Sequence, residues 1–556
     1  MPHWCYQCGK YPTDEEYVKC KEQGHDMDLE DDYQPSRSEL GLKPISEGKV
    51  RNNSRNDENS TIENLMDFLL KKTSRIVISS NDSSRVYASI QVNEHQETFE
   101  IDSKSTKTLR WLKATYYKET REIHSEESFK QALDIIKGQA LYSEKIKTEN
   151  IPKRTSFDGY EFHYDLVSPD WKLVKISKDN IGLVGQNINT PIFSRSKNQS
   201  EQTSPNFLFD GNPIKEFCKF IKIEEFFSVH LITMFIPNIA CPIAAIIGPQ
   251  GSLKSSQSAF IKKIVDPSGT KKEEQLSHLP KKIDDLNIHL NNNYLVAFDN
   301  ISWISDETSD TLCKAITGAG YFKRELYSND DETILKFRGK IILDGITINI
   351  DNGDLNERSI IYNSETIDKK DRLSDTEAEQ IFRKLLAELL GQIFITLQKA
   401  LGIYDSVKEE LKELPRMADF AIWGEAISRA LGYVPNRFLD WYEAKISSGF
   451  ELQNETSPLI PFLNEQKIDK QWIQVKDFYH RFSDYADLNH FDKGSRNVPK
   501  TSGRLRAYLT RAKPLLDQNN YKVEFRKNTE DNEFTKGSTI LRFFKKNVQS
   551  SLGDLQ

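Results

Sequence analysis

The chain lacks an overall excess of positive charge. It has 76 lysine and arginine residues against 83 aspartate and glutamate residues, a formal net charge of -7 over 556 residues. A uniformly basic nucleic-acid-binding protein is therefore excluded, and any contact with a polyanion must come from a local group of cations. The length predicts three or four domains at about 150 residues each, which is enough chain for a large buried core.

The chain also lacks an uninterrupted apolar stretch of the length that crosses a membrane. Residues 226–247 raise that question, but His230, Pro237, Asn238 and Pro242 interrupt them, whereas a spanning helix needs about 20 apolar residues. We expect a core helix, a proline break and a buried strand here instead. The first residues show neither the basic start nor the apolar segment of a secretory signal, so we expect a cytoplasmic chain with no membrane partner.

Cysteine is scarce, and the six cysteines are of two kinds. Cys218, Cys241 and Cys313 lie in apolar or helical surroundings, which predicts buried thiols that act as small hydrophobic side chains. No repeat at a fixed period stands out in the sequence.

The other three cysteines have the spacing of a metal site. Cys5 and Cys8 are separated by two residues, Cys20 follows, and His25 comes four residues later. Three thiolates and an imidazole match the number and softness of ligands that tetrahedral Zn2+ prefers, and metal binding would supply the folding energy of this short segment. His3 is an alternative fourth ligand in place of His25. The alternative to a metal site is a loose tail with unliganded thiols.

A glycine-containing loop joins an apolar strand at residues 243–247 to a helix that begins near Ser256. The loop consists of Gly248, Pro249, Gln250, Gly251, Ser252, Leu253, Lys254 and Ser255. Its backbone N–H groups and the helix N-terminus would bind polyphosphate, with Lys254 on the outer phosphates and Ser255 on Mg2+. Leu253 stands where a third glycine is usual. The alternative is an ordinary turn.

Two further apolar strands end in carboxylates. Residues 294–298 lead into Asp299, at the position where a P-loop enzyme places the residue that holds Mg2+ through water. Residues 340–346 contain Asp344. We therefore interpret the loop as part of an ATP-binding domain and not as an ordinary turn. This interpretation rests on the order of the loop, the strand that ends in Asp299 and the later strand with Asp344.

Residues 312–327 make the pattern more specific, since Thr317 and Gly318 precede the basic pair Lys323 and Arg324. Together with the loop and the two strands, they resemble the phage and plasmid primase-helicase ATPases, which are allied to superfamily 3 helicases within the AAA+ group. The resemblance covers most of residues 61–546, with strong motifs only between residues 243 and 362.

This resemblance implies ATP and Mg2+ as cofactors and a homo-oligomeric ring on DNA. Asp344 would sense the γ-phosphate or position the attacking water. Arg358 would act as a finger on a neighbouring subunit's nucleotide, with a surface salt bridge as the alternative. Lys323 and Arg324 would follow the DNA backbone from a hairpin, with a fold-stabilising pair as the alternative.

Two positions depart from the family pattern. Asn300 follows Asp299 where a second acidic residue usually polarises the water, and an amide cannot accept a proton as a carboxylate does. Asp344 occupies a position where asparagine is more usual. Either Asp344 takes over as the base, or hydrolysis is slow and the domain is a nucleotide-dependent switch.

The C-terminal part carries the local positive charge. From Arg496 to Lys546 there are 13 basic and 5 acidic residues, a balance of 13 − 5 = +8. Helices at residues 475–485 and 501–518, followed by strands at 522–526 and 539–544, predict a winged helix. Its DNA contacts would be Arg504, Arg506, Arg511 and Lys513. A protein-binding role for the winged helix is the alternative.

The fold class is therefore a multidomain chain with a central α/β P-loop (AAA+-like) ATPase core. The predicted units are a zinc finger (1–27), a flexible acidic and polar linker (28–60), an α+β accessory domain (61–193), the ATPase core (206–373), a helical lid-like region (374–460) and a winged-helix domain (461–546). Residues 194–205 are expected to be a polar hinge.

Taken together, these features predict a Mg-ATP-dependent DNA helicase or translocase in the replication of a mobile element, with replication proteins as further partners. The alternative is a nucleotide-switched DNA-binding loader or regulator with little ATP turnover. The accessory domain shows no polymerase or primase carboxylate set, so primer synthesis is not expected.

Overall fold

The computed structural model describes residues 54–318, 321–324, 332–335, 338–346, 353–366, 368, 370, 372–466, 471–489, 491, 498–529 and 534–545, together with two short paired strands near the start of the chain. These are β1 (Trp4–Cys5) and β2 (Met27–Asp28), which pair antiparallel. Of the expected zinc ligands, Cys8, Cys20 and His25 lie outside the described residues, and only the backbone of Cys5 is described.

The first unit packs three helices on a four-stranded sheet and has its own apolar core. Its helices are α1 (Ser54–Lys71), α2 (Thr106–Thr120) and α3 (Glu126–Tyr142), and its strands are β3 (Thr73–Ser79), β4 (Val86–Val92), β5 (His95–Glu100) and β6 (Thr148–Glu149). Ser105 and Ser125 cap α2 and α3 by accepting hydrogen bonds from backbone N–H groups three residues on. Helix α1 begins inside the stretch expected to be a linker.

A second, antiparallel sheet follows. It contains β7 (Thr155–Phe157), β8 (Phe162–Asp165), β9 (Lys172–Ile176) and β10 (Ile181–Gly185). Phe162 and Val174 belong to the same buried cluster as the central sheet. The expected hinge after this sheet is instead anchored, because buried Gln202 donates hydrogen bonds to Tyr164 Oη, Lys263 O and Ile264 O.

The central sheet is parallel and has the strand order β12-β15-β11-β16. Its strands are β11 (Ile243–Ile247), β12 (Leu295–Phe298), β15 (Lys340–Gly345) and β16 (Ser359–Asn363). All residues of β11, β12 and β15 are buried, as expected of strands covered by helices on both faces. The three strands predicted from residues 243–247, 294–298 and 340–346 are thereby confirmed.

In the part of this region that the structure describes, six α-helices and a hairpin accompany the sheet. The helices are α4 (Pro213–Phe220), α5 (Phe227–Thr233), α6 (Lys254–Val265), α7 (Ile283–Asn292), α8 (Asp306–Thr317) and α9 (Gly353–Asn356), and the hairpin pairs β13 (Tyr321–Arg324) with β14 (Glu332–Leu335). Helix α5 is buried along its whole length, and the breaks at Pro237 and Pro242 precede β11, as the sequence predicted. Cys218, Cys241 and Cys313 are free and buried, which confirms their expected role.

Three long helices complete the main core: α10 (Asp375–Glu410), α11 (Ala418–Ala430) and α12 (Arg437–Thr456). Ser374 and Glu377 form a capping box at the start of α10. Among the described helices, α10 is long and apolar enough to cross a membrane, with 56% of its most apolar window buried inside the protein. Packing of residues such as Leu389, Ile393 and Leu397 in the core accounts for that composition.

The last unit has a separate apolar core. It consists of α13 (Leu459–Glu465), β17 (Ile473–Gln474), α14 (Val475–Leu488), α15 (Leu505–Arg511), α16 (Lys513–Gln518), β18 (Tyr521–Lys527) and β19 (Thr539–Lys545). Strands β18 and β19 pair antiparallel as predicted. The single helix expected at residues 501–518 is wrong: it is broken at Ala512, because Pro514 has no N–H to continue it and instead starts α16.

Candidate functional site

Parallel pairing brings three chain segments to one edge of the central sheet. The glycine loop leaves the carboxyl end of β11, Asp299 follows β12, and Asp344 lies near the carboxyl end of β15. Since β15 lies between β12 and β11 in the sheet, Asp344 is placed between the loop and Asp299. The carboxyl edge of a parallel sheet is where α/β proteins bind ligands.

The loop's two glycines are required by its backbone. A Cβ atom on Gly248 would lie 2.2 Å from the backbone oxygen of Ser364, and Gly251 has a φ of +83°. Leu253, in contrast, has φ -79° and ψ 10°, a conformation open to any residue. The leucine at the usual glycine position therefore causes no backbone strain.

Lys254 is the first residue of α6, and its side chain folds back over the loop. Its Nζ atom donates hydrogen bonds to Pro249 O at 2.8 Å and to Ser252 Oγ at 3.1 Å. The residue is 8% exposed, and no carboxylate lies within ion-pair distance among the described residues. A mostly buried cation at the first turn of a helix is an arrangement that binds an anion.

Ser255, the next residue, donates a hydrogen bond of 2.9 Å from Oγ to Asp299 Oδ1. Burial alone would raise the pKa of Asp299, but interactions with Asp344, the Ser255 hydroxyl and the Asn300 N–H hold that pKa below its usual value. Asp299 is therefore a carboxylate at neutral pH. A hydroxyl and a carboxylate in contact are the oxygen ligands that Mg2+ takes in P-loop enzymes.

Asp344 is 1% exposed, and its backbone oxygen accepts from the Ile301 N–H at 2.8 Å. Burial, and then the neighbouring Asp299 carboxylate, raise the pKa of Asp344 to about 7. Asp344 Oδ2 and Ser258 Oγ are both buried and make no hydrogen bond of standard geometry among the described residues, but Ser258 is close enough to the Asp344 carboxyl to lower its pKa. Asp344 therefore lies beside both the Asp299 carboxylate and the Ser258 hydroxyl.

Asn300 adopts a left-handed backbone conformation with φ +58°, and its N–H donates to Asp344 Oδ1 at 3.3 Å. Asparagine tolerates this conformation better than glutamate does. The amide at this position therefore has a structural reason, which the sequence pattern did not reveal.

A segment that sequence reasoning missed lies against the loop. Ser364 N donates to Ile247 O at 2.7 Å, Thr366 forms an isolated bridge with Ser252, and an Arg372 guanidinium nitrogen lies 3.6 Å from where a Cβ of Gly251 would be. These residues come more than 100 positions after the loop, so no local pattern could have identified them. Arg372 is exposed and adds a second cation beside the loop.

Arg358 lies at the opposite edge of the sheet, because its backbone oxygen accepts from Ile243 N at the start of β11. Its side chain is 13% exposed and pairs with Asp354, whose backbone oxygen also accepts from Arg358 Nη1 at 3.0 Å. Arg416 pairs with Asp354 and Glu357 in the same cluster. Arg358 is thus distant from its own chain's glycine loop, and a role on a neighbouring subunit stays a prediction.

Thr317 and Gly318 contact Arg338 at the base of the β13–β14 hairpin. Gly318 ends α8 in a left-handed conformation, and a Cβ there would lie 2.6 Å from Arg338 Nε. Arg338 donates to Thr317 O at 2.8 Å, which closes the base of the β13–β14 hairpin. Lys323 and Arg324 are on β13, where only the backbone is described.

In the C-terminal unit, Arg504, Arg506 and Lys513 are exposed, while Leu505 and Leu509 are fully buried, as predicted. The Arg506 guanidinium lies 5.3 Å from the Phe525 ring centroid on β18. Of Arg511 only the backbone is described. The three exposed cations are therefore available to a ligand in solvent.

Comparison with known proteins gives one family match. The sequence model of the family described as "Actinomycete integrative conjugative element replication protein" matches residues 214–446. This range contains the glycine loop, Asp299, Asp344 and Arg358. No curated protein sequence matches the chain.

Among solved structures, the "A form apo structure of NrS-1 C terminal region-CTR" is 13% identical, covering 87% of this chain and 99% of its own, with a TM-score of 0.37. A second structure of that region is 12% identical, with coverages of 86% and 98% and a TM-score of 0.36. The "X-ray structure of JCV Helicase" is 14% identical over 43% of this chain and 64% of its own, with a TM-score of 0.21. Scores this low do not establish a shared fold.

Proposed function

We propose that the chain is a Mg-ATP-dependent DNA helicase or translocase acting in the replication of a mobile element. The observation that carries the proposal is the convergence of the glycine loop, Lys254, Ser255, Asp299 and Asp344 at one edge of a parallel sheet. This set supplies hydrogen-bond donors to phosphate, a cation, and oxygen ligands for a divalent metal.

In phosphoryl transfer these residues would have separate roles. Lys254 would exchange its two acceptors in the loop for phosphate oxygens, while Ser255 and Asp299 would hold Mg2+. When bound, Mg2+ neutralises charge that develops on the transferred phosphate. Asp344 would hold the attacking water or sense the γ-phosphate.

The family match supports DNA replication as the setting, because the matching model is described as a replication protein of an integrative conjugative element. DNA would be contacted by Lys323 and Arg324 of the hairpin and by Arg504, Arg506, Arg511 and Lys513 of the winged-helix unit. The position of Arg358, away from its own loop, fits a homo-oligomeric ring in which it reaches the neighbour's ATP.

A second candidate function is a nucleotide-switched loader or regulator with little turnover. Asn300 favours it, since its amide cannot take the proton that the usual second acidic residue would accept. The two functions share ATP binding and differ in hydrolysis.

We further propose that Cys5, Cys8, Cys20 and His25 bind one Zn2+. Metal analysis of the purified chain should then give about one zinc per chain, and Cys8→Ser should lose it, since a zinc site of this kind needs four ligands. A zinc content unchanged by Cys8→Ser would contradict this assignment.

The central experiment is a steady-state ATPase assay with Mg2+, with and without single-stranded and duplex DNA. Wild type is compared with Lys254→Ala and with the control Lys271→Ala, which removes an exposed lysine outside the loop. DNA-stimulated turnover that is lost only in Lys254→Ala supports the motor.

Retention of labelled ATP without turnover would favour the switch instead. Failure of the wild-type chain to retain labelled ATP in the presence of Mg2+ would contradict both functions. Strand displacement on a forked duplex then distinguishes a helicase from a translocase that does not separate strands.

A further inference from the structure

A polar cavity of about 750 Å3 lies between the first unit and the central sheet. On the sheet side it is lined by Asn238, Asn293 and Arg338, which precede β11, β12 and β15 respectively. The cavity therefore lies at the amino edge of the sheet, opposite the glycine loop. Its volume is in the range of small-ligand sites, about 300–1,000 Å3.

The lining is strongly cationic. Seven of its residues are lysine or arginine and two are aspartate or glutamate. Three of the cations have carboxylate partners, since Arg85 pairs with Glu100, Lys107 with Glu97 and Arg195 with Asp165. The other four are Lys104, Lys153, Lys197 and Arg338, which have no carboxylate within ion-pair distance among the described residues.

Lys153 is the most constrained of these four. The next residue, Arg154, is fully buried and donates to Asp266 Oδ1 and to Asp165 O, each at 3.0 Å, and Lys153 O itself accepts from Gln199 Nε2 at 2.7 Å. These bonds fix the backbone that carries Lys153. Burial lowers the pKa of its side chain to about 8, and the attraction of the Asp266 carboxylate only partly opposes this effect.

The cavity is continuous with the base of the β13–β14 hairpin. Gly318 and Arg338, the described residues on either side of that hairpin, both line the cavity. Arg338 donates to Thr317 O and Asn238 O but has no carboxylate partner among the described residues. A chain of phosphates held by Lys104, Lys153 and Lys197 would thus continue toward the strand that carries Lys323 and Arg324.

We propose that this cavity binds the phosphate backbone of a single-stranded nucleic acid at the amino edge of the central sheet, opposite the glycine loop. Unpaired cations along a groove track a backbone without reading its sequence. A free nucleoside phosphate shares this chemistry, and the experiment separates the two sources. The proposal concerns a different site from the glycine loop and does not need ATP hydrolysis.

The test uses the full chain and a fluorescein-labelled oligothymidylate, without ATP, with binding followed by anisotropy across a range of salt concentrations. The test variant is Lys104→Glu/Lys197→Glu, because both lysines are exposed and unpaired at the cavity. The control is Lys399→Glu/Lys408→Glu, which makes the same charge change at two exposed lysines of α10.

We expect the test variant to bind at least about 10-fold more weakly, and the slope of log K against log salt to become shallower by about 1.4. That value is two phosphate contacts at about 0.7 each for single strands. The change of slope is the readout, since other parts of the chain are also predicted to bind DNA. An affinity and slope equal to those of the control would overturn the proposal.

The nucleotide arm uses a fluorescent ADP analogue in a Lys254→Ala background, which removes the lysine of the glycine loop and so weakens binding there. If the cavity substitutions abolish binding of this analogue and leave oligonucleotide binding unchanged, the ligand is a free nucleotide and the proposal is wrong. Lys153→Gln, checked by thermal unfolding, should weaken oligonucleotide binding in the same direction. If the wild-type chain shows no ATPase activity but the salt slope still becomes shallower in the test variant, only the proposed function is contradicted.

Discussion

Ser255 Oγ donates a 2.9 Å hydrogen bond to Asp299 Oδ1, which joins the first turn of α6 directly to the end of β12. The two oxygens expected to hold Mg2+ are therefore already together without the metal. Preformed ligands lose less conformational freedom on binding than ligands that must be brought together. The site should accordingly be ready for Mg-nucleotide before any rearrangement of the sheet.

Replacing Asp299 by asparagine should separate metal binding from phosphate binding. Asp299→Asn keeps the shape but removes the charge, so we expect affinity for Mg-ATP to fall about 10-fold or more, as other losses of metal-site groups do. Binding of ATP in EDTA should change little. Titrations with a fluorescent ATP analogue measure both, and Asp285→Asn, an exposed residue on α7, should behave as wild type.

Arg372 should contribute to nucleotide binding through its position beside Gly251. Removing a partly solvated cation near phosphate costs on the order of 1 kcal/mol, which is about a 5-fold weaker affinity. We expect Arg372→Ala to show this loss with unchanged thermal stability. Arg383→Ala, at an exposed residue further along α10, provides the comparison, and equal affinities in the two variants would remove Arg372 from the site.

Lys340 should make the stability of the fold depend on pH. It is 1% exposed, its Nζ donates to Ile239 O at 3.1 Å, and burial lowers its pKa from 10.5 to about 8. Between pH 8 and pH 10.5 the Lys340 amine is therefore protonated in the unfolded chain but neutral in the folded chain. Stability accordingly decreases as pH falls from 10.5 through 8.

Lys340→Met removes the buried amine and, with it, the loss of stability at lower pH. The variant's advantage in free energy of unfolding should be largest at and below pH 7 and should shrink by up to about 3 kcal/mol toward pH 10.5. Denaturant unfolding of both proteins at several pH values gives the difference. An advantage that does not vary with pH would mean that Lys340 stays charged in the fold.

Two glycines of α10 should respond oppositely to alanine. A Cβ on Gly391 would lie 1.8 Å from Asn206 O, whereas nothing lies within 4 Å of a Cβ on Gly402. Gly391→Ala should destabilise by about 1–3 kcal/mol through overpacking against backbone. Gly402→Ala should stabilise by about 0.5–1 kcal/mol because it restricts the unfolded chain. Thermal unfolding of both variants tests the pair, and a neutral Gly391→Ala would contradict the close approach.

The Arg154–Asp266 pair should be worth far more than a surface pair. Arg154 is 0% exposed, and Arg154→Met leaves Asp266 with one fewer buried cation, so we expect a loss of about 3–5 kcal/mol. Arg383→Met breaks an exposed pair with Glu379 and should cost less than about 1 kcal/mol. Similar losses for the two variants would show that Lys262, the other cation on Asp266, suffices.

The sequence predicted the parts of this fold that are encoded locally. Strands β11, β12 and β15 read as apolar runs because both faces of the central sheet are covered, and their order with Lys254, Asp299 and Asp344 located the candidate site. The buried positions of Leu505 and Leu509 followed from helical spacing. The break at Ala512 had a visible signal in Pro514, which the expected long helix ignored.

The remaining features depend on contacts distant in sequence. Nothing near Gly248 or Gly251 indicates that Ser364 and Arg372 lie against them. The left-handed conformation of Asn300 accompanies a hydrogen bond from its N–H to Asp344, which is 44 residues away in the sequence. The cavity at Lys153 and Arg338 is formed by segments almost 200 residues apart. Counting charged residues within a short stretch of sequence therefore does not reveal its positive charge.

Helix α10 connects places that are otherwise far apart. At about 1.5 Å per residue its 36 residues span about 54 Å. Near one end Glu379 pairs with Lys263 of α6, the helix that the glycine loop begins, and near the other Gln398 and Asp405 bond to the β9–β10 turn through Ser177 and Lys178. One continuous helix thus ties the last turn of α6, at the end away from the glycine loop, to the turn between β9 and β10 of the second sheet.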